Sequence, residues 1–202
     1  MRVARVALVG ESQSGKSALL HRCARGAFPE RSEPTLGLDY NSITLRQLSC
    51  DACEMPADYK LQVWDTAGQE RFRALCGTYI QQCAVLWVCI DSSDMASFRA
   101  ARDYWWPRVV SEHTGGGDSA VILLTKMDVA VAAVCDAVRA WAAGRGATVL
   151  ETSAKTGAGA AAVCRWTVDT CHRYGYWRSV PPPLSTDRAA GPTRAMDCCA
   201  VS

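Results

Sequence analysis

Residues Gly10 to Ser17 read GESQSGKS, and the chain on either side of them decides the architecture. Upstream, Val6-Ala7-Leu8-Val9 is a short continuous apolar run, the pattern of a buried strand; downstream, Ala18-Leu19-Leu20 opens an amphipathic helix. The spacing G-x-x-x-x-G-K-S between a strand and a helix makes a loop that wraps an anion. Gly10 and Gly15 free the backbone for close approach, and N–H groups at the helix start point inward at phosphates. Lys16 brings a point charge to the outer phosphates, and Ser17 offers a hydroxyl to a magnesium ion. Outside that context the same residues would be a Gly/Ser turn with a solvated lysine.

The length, 202 residues, suits one folded domain plus an appendage, here expected as a domain over 1–175 and a flexible tail over 176–202. With 49% apolar and 21% charged residues the composition is that of a folded globular protein, and a net charge of +2 gives no reason to expect nucleic acid as a partner. Eleven cysteines would mean disulfides in a secreted chain. Met1 to Arg5 runs straight into the first strand, however, so no signal segment is expected and the thiols are expected to be reduced and cytosolic. The longest apolar stretch, Cys83 to Ile90, is far short of the ~20 residues of a spanning helix.

A helix from Ser17 to Arg25 is broken by Gly26-Ala27-Phe28-Pro29. In the polar loop that follows, Pro34 favours extended backbone at Glu33 and presents Thr35 to a ligand. Leu38 to Leu48 alternates as a strand, with Leu38, Tyr40, Ser42, Thr44, Arg46 and Leu48 on one face and Asp39, Asn41, Ile43, Leu45 and Gln47 on the other. Tyr59 to Trp64 is its hairpin partner, because 49–58 is too short and too broken for a crossover helix. Cys50 and Cys53 in that connector are read as plain loop thiols, since neither a second pair nor a nearby histidine completes four zinc ligands.

Asp65 ends an apolar strand and is followed by Thr66-Ala67-Gly68-Gln69-Glu70. An acid there is placed to hold Mg²⁺ beside the phosphates, and Gln69 is a neutral side chain able to orient water. Val85 to Ile90 is a buried strand, and Asp91-Ser92-Ser93 is read as the cap of a helix from about Asp94 to Val110, interrupted near Pro107, with Trp105 and Trp106 partly in the core. His113, beside a Gly115–Gly117 linker, is read as a solvated loop residue; His21 and His172 likewise lack a triad. Ala120 to Leu124 delivers Thr125-Lys126-Met127-Asp128 to the rim where parallel sheets gather ligands, and Asp128 can accept two N–H groups from a guanine edge. A helix over Val131 to Ala143, a strand over Thr148 to Leu150, the segment Glu151-Thr152-Ser153-Ala154-Lys155 and a helix over Ala160 to Arg173 follow. Past Gly175 the periodicity stops, and Pro181-Pro182-Pro183 reads as an extended spacer. The ending Cys198-Cys199-Ala200-Val201-Ser202 fits lipid attachment at Cys199, with Cys198 as a second acceptor; one lipid binds membranes only marginally.

Taken in order, GESQSGKS, the threonine of PTLG, DTAGQE, TKMD and ETSAK resemble the motifs of a Ras-superfamily small GTPase. The segments LGLDY at 36–40, KLQVW at 60–64 and RFRAL at 71–75 look like those of the Rab family within it. The resemblance covers about Arg5 to Arg173 and implies a P-loop α/β fold: a mostly parallel central sheet, one antiparallel edge hairpin, and helices on both faces. It implies that Ser12, Gln13, Ser14, Gly15, Lys16, Ser17 and Ala18 surround the phosphates of GTP, that Ser17 and Thr35 ligate Mg²⁺, and that Asp65 holds the ion through water. Gly68 would sense the terminal phosphate, and Lys16 and Gln69 would be catalytic, Gln69 orienting the attacking water. Phe28 would pack on guanine, Lys126 cover it, Thr125 support it, Asp128 accept its N1 and N2 hydrogens, and Ser153, Ala154 and Lys155 close over it, Ala154 giving its N–H to O6. Tyr40, Trp64 and Tyr79 resemble the aromatic triad through which Rabs meet effectors. Also implied are exchange-factor and GTPase-activating partners, a monomer, and lipid anchoring at the cytoplasmic face of a membrane for vesicle traffic.

The sequence departs from the family pattern at four places. Thr125 stands where asparagine is usual, Gln13 and Ser14 are unusual inside the loop, YIQQC replaces the ordinary run at 79–83, and the hairpin connector is longer. These motivate an alternative, a hydrolysis-deficient scaffold that stays GTP-loaded. A third reading, an ATP-dependent kinase sharing the phosphate loop, is disfavoured because Asp128 and ETSAK match guanine recognition.

Overall fold

The computed structural model describes residues 1–29, 38–48, 56–66 and 80–179. Its sheet is built around β1 (Arg2–Val9), which lies parallel to β3 (Ala57–Thr66) on one side and to β4 (Val85–Asp91) on the other. With β2 (Leu38–Leu48), β5 (Ala120–Thr125) and β6 (Thr148–Glu151) the order is β2-β3-β1-β4-β5-β6, all parallel except the edge hairpin β2/β3. The α/β class and the antiparallel edge are as the sequence reading expects.

A parallel sheet survives only if both faces are covered, and the strands are written for that. Along β4, Val85, Trp87 and Cys89 pack toward α1 (Lys16–Arg25) and α5 (Ala160–Arg173), with Leu19, Leu20, Cys23, Val163 and Val168. Leu86, Val88 and Ile90 pack on the other face against Phe98, Trp105, Val109, Val134 and Val138, carried by α2 (Met95–Ala100), the turn that follows it, α3 (Trp106–Glu112) and α4 (Ala132–Ala143). The five parallel strands β1, β3, β4, β5 and β6 end on one rim, where the loops after β1, β3 and β5 meet. Among the described residues no helix is long and apolar enough to cross a membrane.

Four local readings are corrected. In β2 the alternation predicts Leu48 on the face of Tyr40 and Ser42, but the pairing with β3 shifts between Leu45 and Leu48, and Gln47 sits at φ 48°. That irregularity reverses sidedness, so Leu48 is buried with Ile43 and Leu45, and the Gln47 N–H donates to Asp58 Oδ1 at 3.0 Å.

The helix expected over Asp94 to Val110 is capped by Asp94 itself, whose Oδ1 accepts from the Ala96 N–H at 2.8 Å. It runs into a π-helical turn, Ala101–Trp105, before Pro107. Proline has no N–H to give the carbonyl four residues back, and the ladder slips by one: the Trp106 N–H donates to the Ala101 carbonyl. The slipped turn seats Trp105 and Trp106 fully in the core rather than partly.

His113 is buried, not solvated. It is 5% exposed, and its Nε2–H donates to the Cys83 carbonyl at 2.9 Å, stitching the end of α3 to the entry of β4. The glycines beside it misled the reading: a Cβ at Gly115 would run into the Ser119 and Tyr176 hydroxyls, so glycine there serves close packing rather than a loose linker.

Past Gly175 the chain turns back onto the sheet. Tyr176 meets the Ser119 hydroxyl at 3.0 Å, Trp177 packs on Tyr59 with ring centroids 4.9 Å apart, and β7 (Arg178–Ser179) pairs antiparallel with Arg2 and Val3. Six residues after a helix are too few for any periodicity to betray this.

The six described cysteines, at 23, 83, 89, 135, 164 and 171, are buried free thiols. Burial pushes Cys83, Cys89 and Cys171 up to about 12, which keeps them protonated and unreactive at neutral pH. Cys50, Cys53, Cys76, Cys198 and Cys199 lie outside the described residues.

Candidate functional site

The loop after β1 is shaped by contact. Gly10 has φ 142°, and a Cβ on it would run into the Cys89 carbonyl oxygen of β4, so only glycine lets the loop leave the sheet there. Gly15, left-handed at φ 85°, starts α1 without a described side chain capping it, and the helix therefore offers its first N–H groups to an anion. Lys16 is 5% exposed, its Nζ donating to the Gly10 carbonyl at 3.1 Å and the Glu11 carbonyl at 2.6 Å. Its ammonium is thus held inside the concave side of the loop. Ser14 is buried against this lysine, while Ser12 and Gln13 are exposed, Gln13 at φ 62°.

A second wall comes from β3. Asp65 at its end is 2% exposed, and Thr66 Oγ1 donates to the Leu8 carbonyl at 2.6 Å, pulling the ends of β3 and β1 together. The Cys89 thiol registers both charges: burial raises it most, Lys16 lowers it and Asp65 raises it. Lys16 follows β1 and Asp65 lies at the end of the neighbouring β3, opposite Leu8, so both stand at one rim.

The third wall is β5. The Thr125 hydroxyl lies 2.6 Å from the Ser14 carbonyl and 3.0 Å from the Ile90 carbonyl, sharing its one proton between them. A hydroxyl here ties the Gly10–Ser17 loop to the β5 rim. Gly15 is needed for this approach too, since a Cβ on it would sit 3.3 Å from Thr125 Oγ1. Lys126 is left-handed at φ 57°; its Nζ meets Asp91 Oδ2 at 2.5 Å and its carbonyl accepts from Ser92 Oγ at 3.1 Å. Burial works to raise Asp91, but hydrogen bonds from Lys126 and Ser93 outweigh it and hold the carboxyl below its ordinary value, so it stays ionised at neutral pH. Ser153 Oγ donates to Asp128 Oδ1 at 2.6 Å, and Lys155 Nζ stands 3.9 Å from Oδ2. Phe28, just beyond α1, is exposed.

Lys16, Ser17, Asp65, Thr125, Lys126, Asp128 and Ser153 thus occupy the loops at one end of the sheet. Thr35, Gly68, Gln69 and Tyr79 lie outside the described residues. Tyr40 and Trp64 pair across the hairpin with centroids 4.9 Å apart, Tyr40 exposed. The sequence reading missed two supports. Asp91 was taken as part of a helix cap although it ends an apolar strand just as Asp65 does. Trp105, seated by the π-helical turn, reaches Glu11 of the loop with Nε1 3.3 Å from Oε1, a contact with no sequence signal.

Ser17 and Asp65 offer a hydroxyl and a carboxylate, hard oxygen donors that fit Mg²⁺. Among the described residues no three His, Cys, Asp or Glu side chains gather to hold a metal.

The profile of the Ras family matches residues 5–173. The chain is 34% identical over 125 residues to Ras-related protein RabC of Dictyostelium discoideum, covering 62% of this chain and 60% of that one. It is 33% identical over 150 residues to Rab-8B of the same organism, covering 73% and 70%, and 35% identical over 152 residues to RAB1BV of Beta vulgaris, covering 74% and 66%.

Proposed function

Because the chain belongs to the Ras family, we propose that it is a Rab-like switch that binds a magnesium guanine nucleotide and hydrolyses GTP. The observation that carries the reading is the Thr125 hydroxyl on the Ser14 carbonyl, which joins the phosphate loop to the segment bearing Asp128. A ligand with phosphates at one end and a planar base at the other fits that span.

In this reading Lys16 and the amides that open α1 hold the phosphates. Ser17, Thr35 and Asp65 would hold Mg²⁺, which screens charge on the phosphate oxygens. Asp128 accepts the N1 and N2 hydrogens of guanine, Ala154 gives its N–H to O6, and Phe28 and Lys126 flank the ring. Gln69 orients the attacking water, with no covalent intermediate. Turnover without an activating protein is slow, because an arginine supplied by that protein adds the transition-state charge stabilisation that Lys16 and the ion leave incomplete. The GTP-bound state orders the segments of Thr35 and Gln69, and effectors read that order, with Tyr40 exposed on the edge strand beside a half-buried Trp64. In single-turnover assays Gln69→Leu is expected to slow GTP cleavage on the order of tenfold or more. Equal rates would remove Gln69 from the mechanism and favour the GTP-loaded scaffold, a reading supported by Gln13 protruding from the loop in left-handed backbone.

We place the nucleotide-binding domain over residues 1–175, with 176–179 folded back onto its sheet, and read the chain beyond as a tail lipidated at Cys198 and Cys199, which would hold the switch on the cytoplasmic face of a membrane in vesicle traffic. Intact-mass analysis of protein purified from its native cells is expected to find lipid on both thiols; unmodified cysteines would refute the anchoring.

A further inference from the structure

Arg22 lies in the last turn of α1, on no motif, and its guanidinium makes three hydrogen bonds to main-chain carbonyls of two separate loops. Nε donates to Ala154 at 2.6 Å and Nη2 to Lys155 at 2.8 Å, while Nη1 donates to Gly26 at 2.7 Å. Gly26 closes the circuit, its N–H donating back to the Arg22 carbonyl at 2.8 Å. One planar fork thus joins the segment that leads to Phe28 with the segment Ser153–Lys155.

The bonds also carry direction. In a trans peptide the C=O and the following N–H point opposite ways. Drawing the Lys155 carbonyl toward Arg22 turns the Thr156 N–H away from it, and that N–H donates to Ser153 Oγ at 3.2 Å. Ser153 Oγ in turn donates to Asp128 Oδ1 at 2.6 Å. A relay therefore runs from Arg22 through the peptide between Lys155 and Thr156 to Ser153 and on to the carboxylate assigned to the base.

We propose that Arg22 is a positioning residue for guanine: it fixes the gap between the Phe28 loop and the 153–155 loop and, through Ser153, the orientation of Asp128. The proposal rests on the nucleotide reading above. Lysine is a poor substitute, because a single ammonium on a flexible stem does not reach three carbonyls at once in the plane of a fork. Asp128 with Ser153 displaced keeps its charge but loses its aim, so the loss falls on base discrimination and ligand release rather than on phosphate cleavage.

The test uses the full chain loaded with a fluorescent N-methylanthraniloyl derivative of GDP. Arg22→Ala is expected to release the probe at least about tenfold faster than the parent, with Arg22→Lys between them, since each charge-assisted bond lost is worth that much. The preference for GDP over inosine diphosphate, which lacks the N2 amine, should narrow, and amide exchange at Thr156 should quicken. Cleavage of GTP loaded beforehand should stay within about threefold in a single turnover. A merely structural arginine would not shift the guanine-to-inosine ratio. Release and ratio equal to the parent's in a folded Arg22→Ala protein overturn the positioning role alone, and if that variant does not fold, parental values in Arg22→Lys do so. A parent that does not bind the probe overturns the nucleotide reading, and the positioning role with it.

Discussion

Asp128→Asn protein is expected to bind GDP at least about 100-fold more weakly than the parent, because two charge-assisted hydrogen bonds are replaced by an amide that presents its own N–H groups to the N2 amine of guanine. The change is local. Ser153 Oγ still finds an acceptor at the amide oxygen, and the Thr125 bond from β5 to Ser14 is untouched, so the thermal midpoint of the ligand-free protein should hardly move. Xanthosine diphosphate offers a carbonyl where guanine has the amine, and its affinity should rise as that of GDP falls. Opposite movements of the two ligands are the signature of an edge read by one side chain. Equal weakening of both ligands would mean that Asp128 is only a scaffold, and unchanged GDP affinity would place the base elsewhere.

Lys16→Met is expected to cost about 100-fold or more in affinity for GDP and GTP alike, without altering the preference among bases, since the thioether keeps the length of the stem but not the charge. The ammonium sits inside the loop with the Gly10 and Glu11 carbonyls 3.1 and 2.6 Å away, so it is already constrained to the concave side that the phosphates would face. Titration calorimetry with both nucleotides decides it: affinity within about threefold of the parent would show that the loop amides suffice and that the lysine is structural. Base preference distinguishes the two substitutions, one acting at each end of the ligand.

The phosphate loop, its two flanking elements and the ends of β3 and β5 were legible because glycine spacing and apolar runs are local signals. Lys16, Asp65, Thr125 and Asp128 follow from them directly. What escaped depends on the third dimension. Pro107 was visible as an interruption, yet whether a helix kinks, stops or slips into a π-helical turn is decided by what Trp105 and Trp106 meet across the core. His113 precedes glycines that resemble a hinge, and only the approach of Ser119 and Tyr176 reveals Gly115 as close-packed. Leu48 followed the alternation until Gln47 broke it. Arg22 had no motif because its partners are main-chain carbonyls, which every sequence supplies.

The pairing of Arg178 and Ser179 with Val3 and Arg2 has a mechanical corollary. Traction on the chain beyond residue 179 lands first on two residue pairs at the start of the central strand, roughly 25 Å along β1 from Gly10 at the usual rise per residue. Such a pull is therefore absorbed at the pole remote from Lys16 and Asp128, and peeling Arg178 and Ser179 from β1 would leave the opposite rim undisturbed.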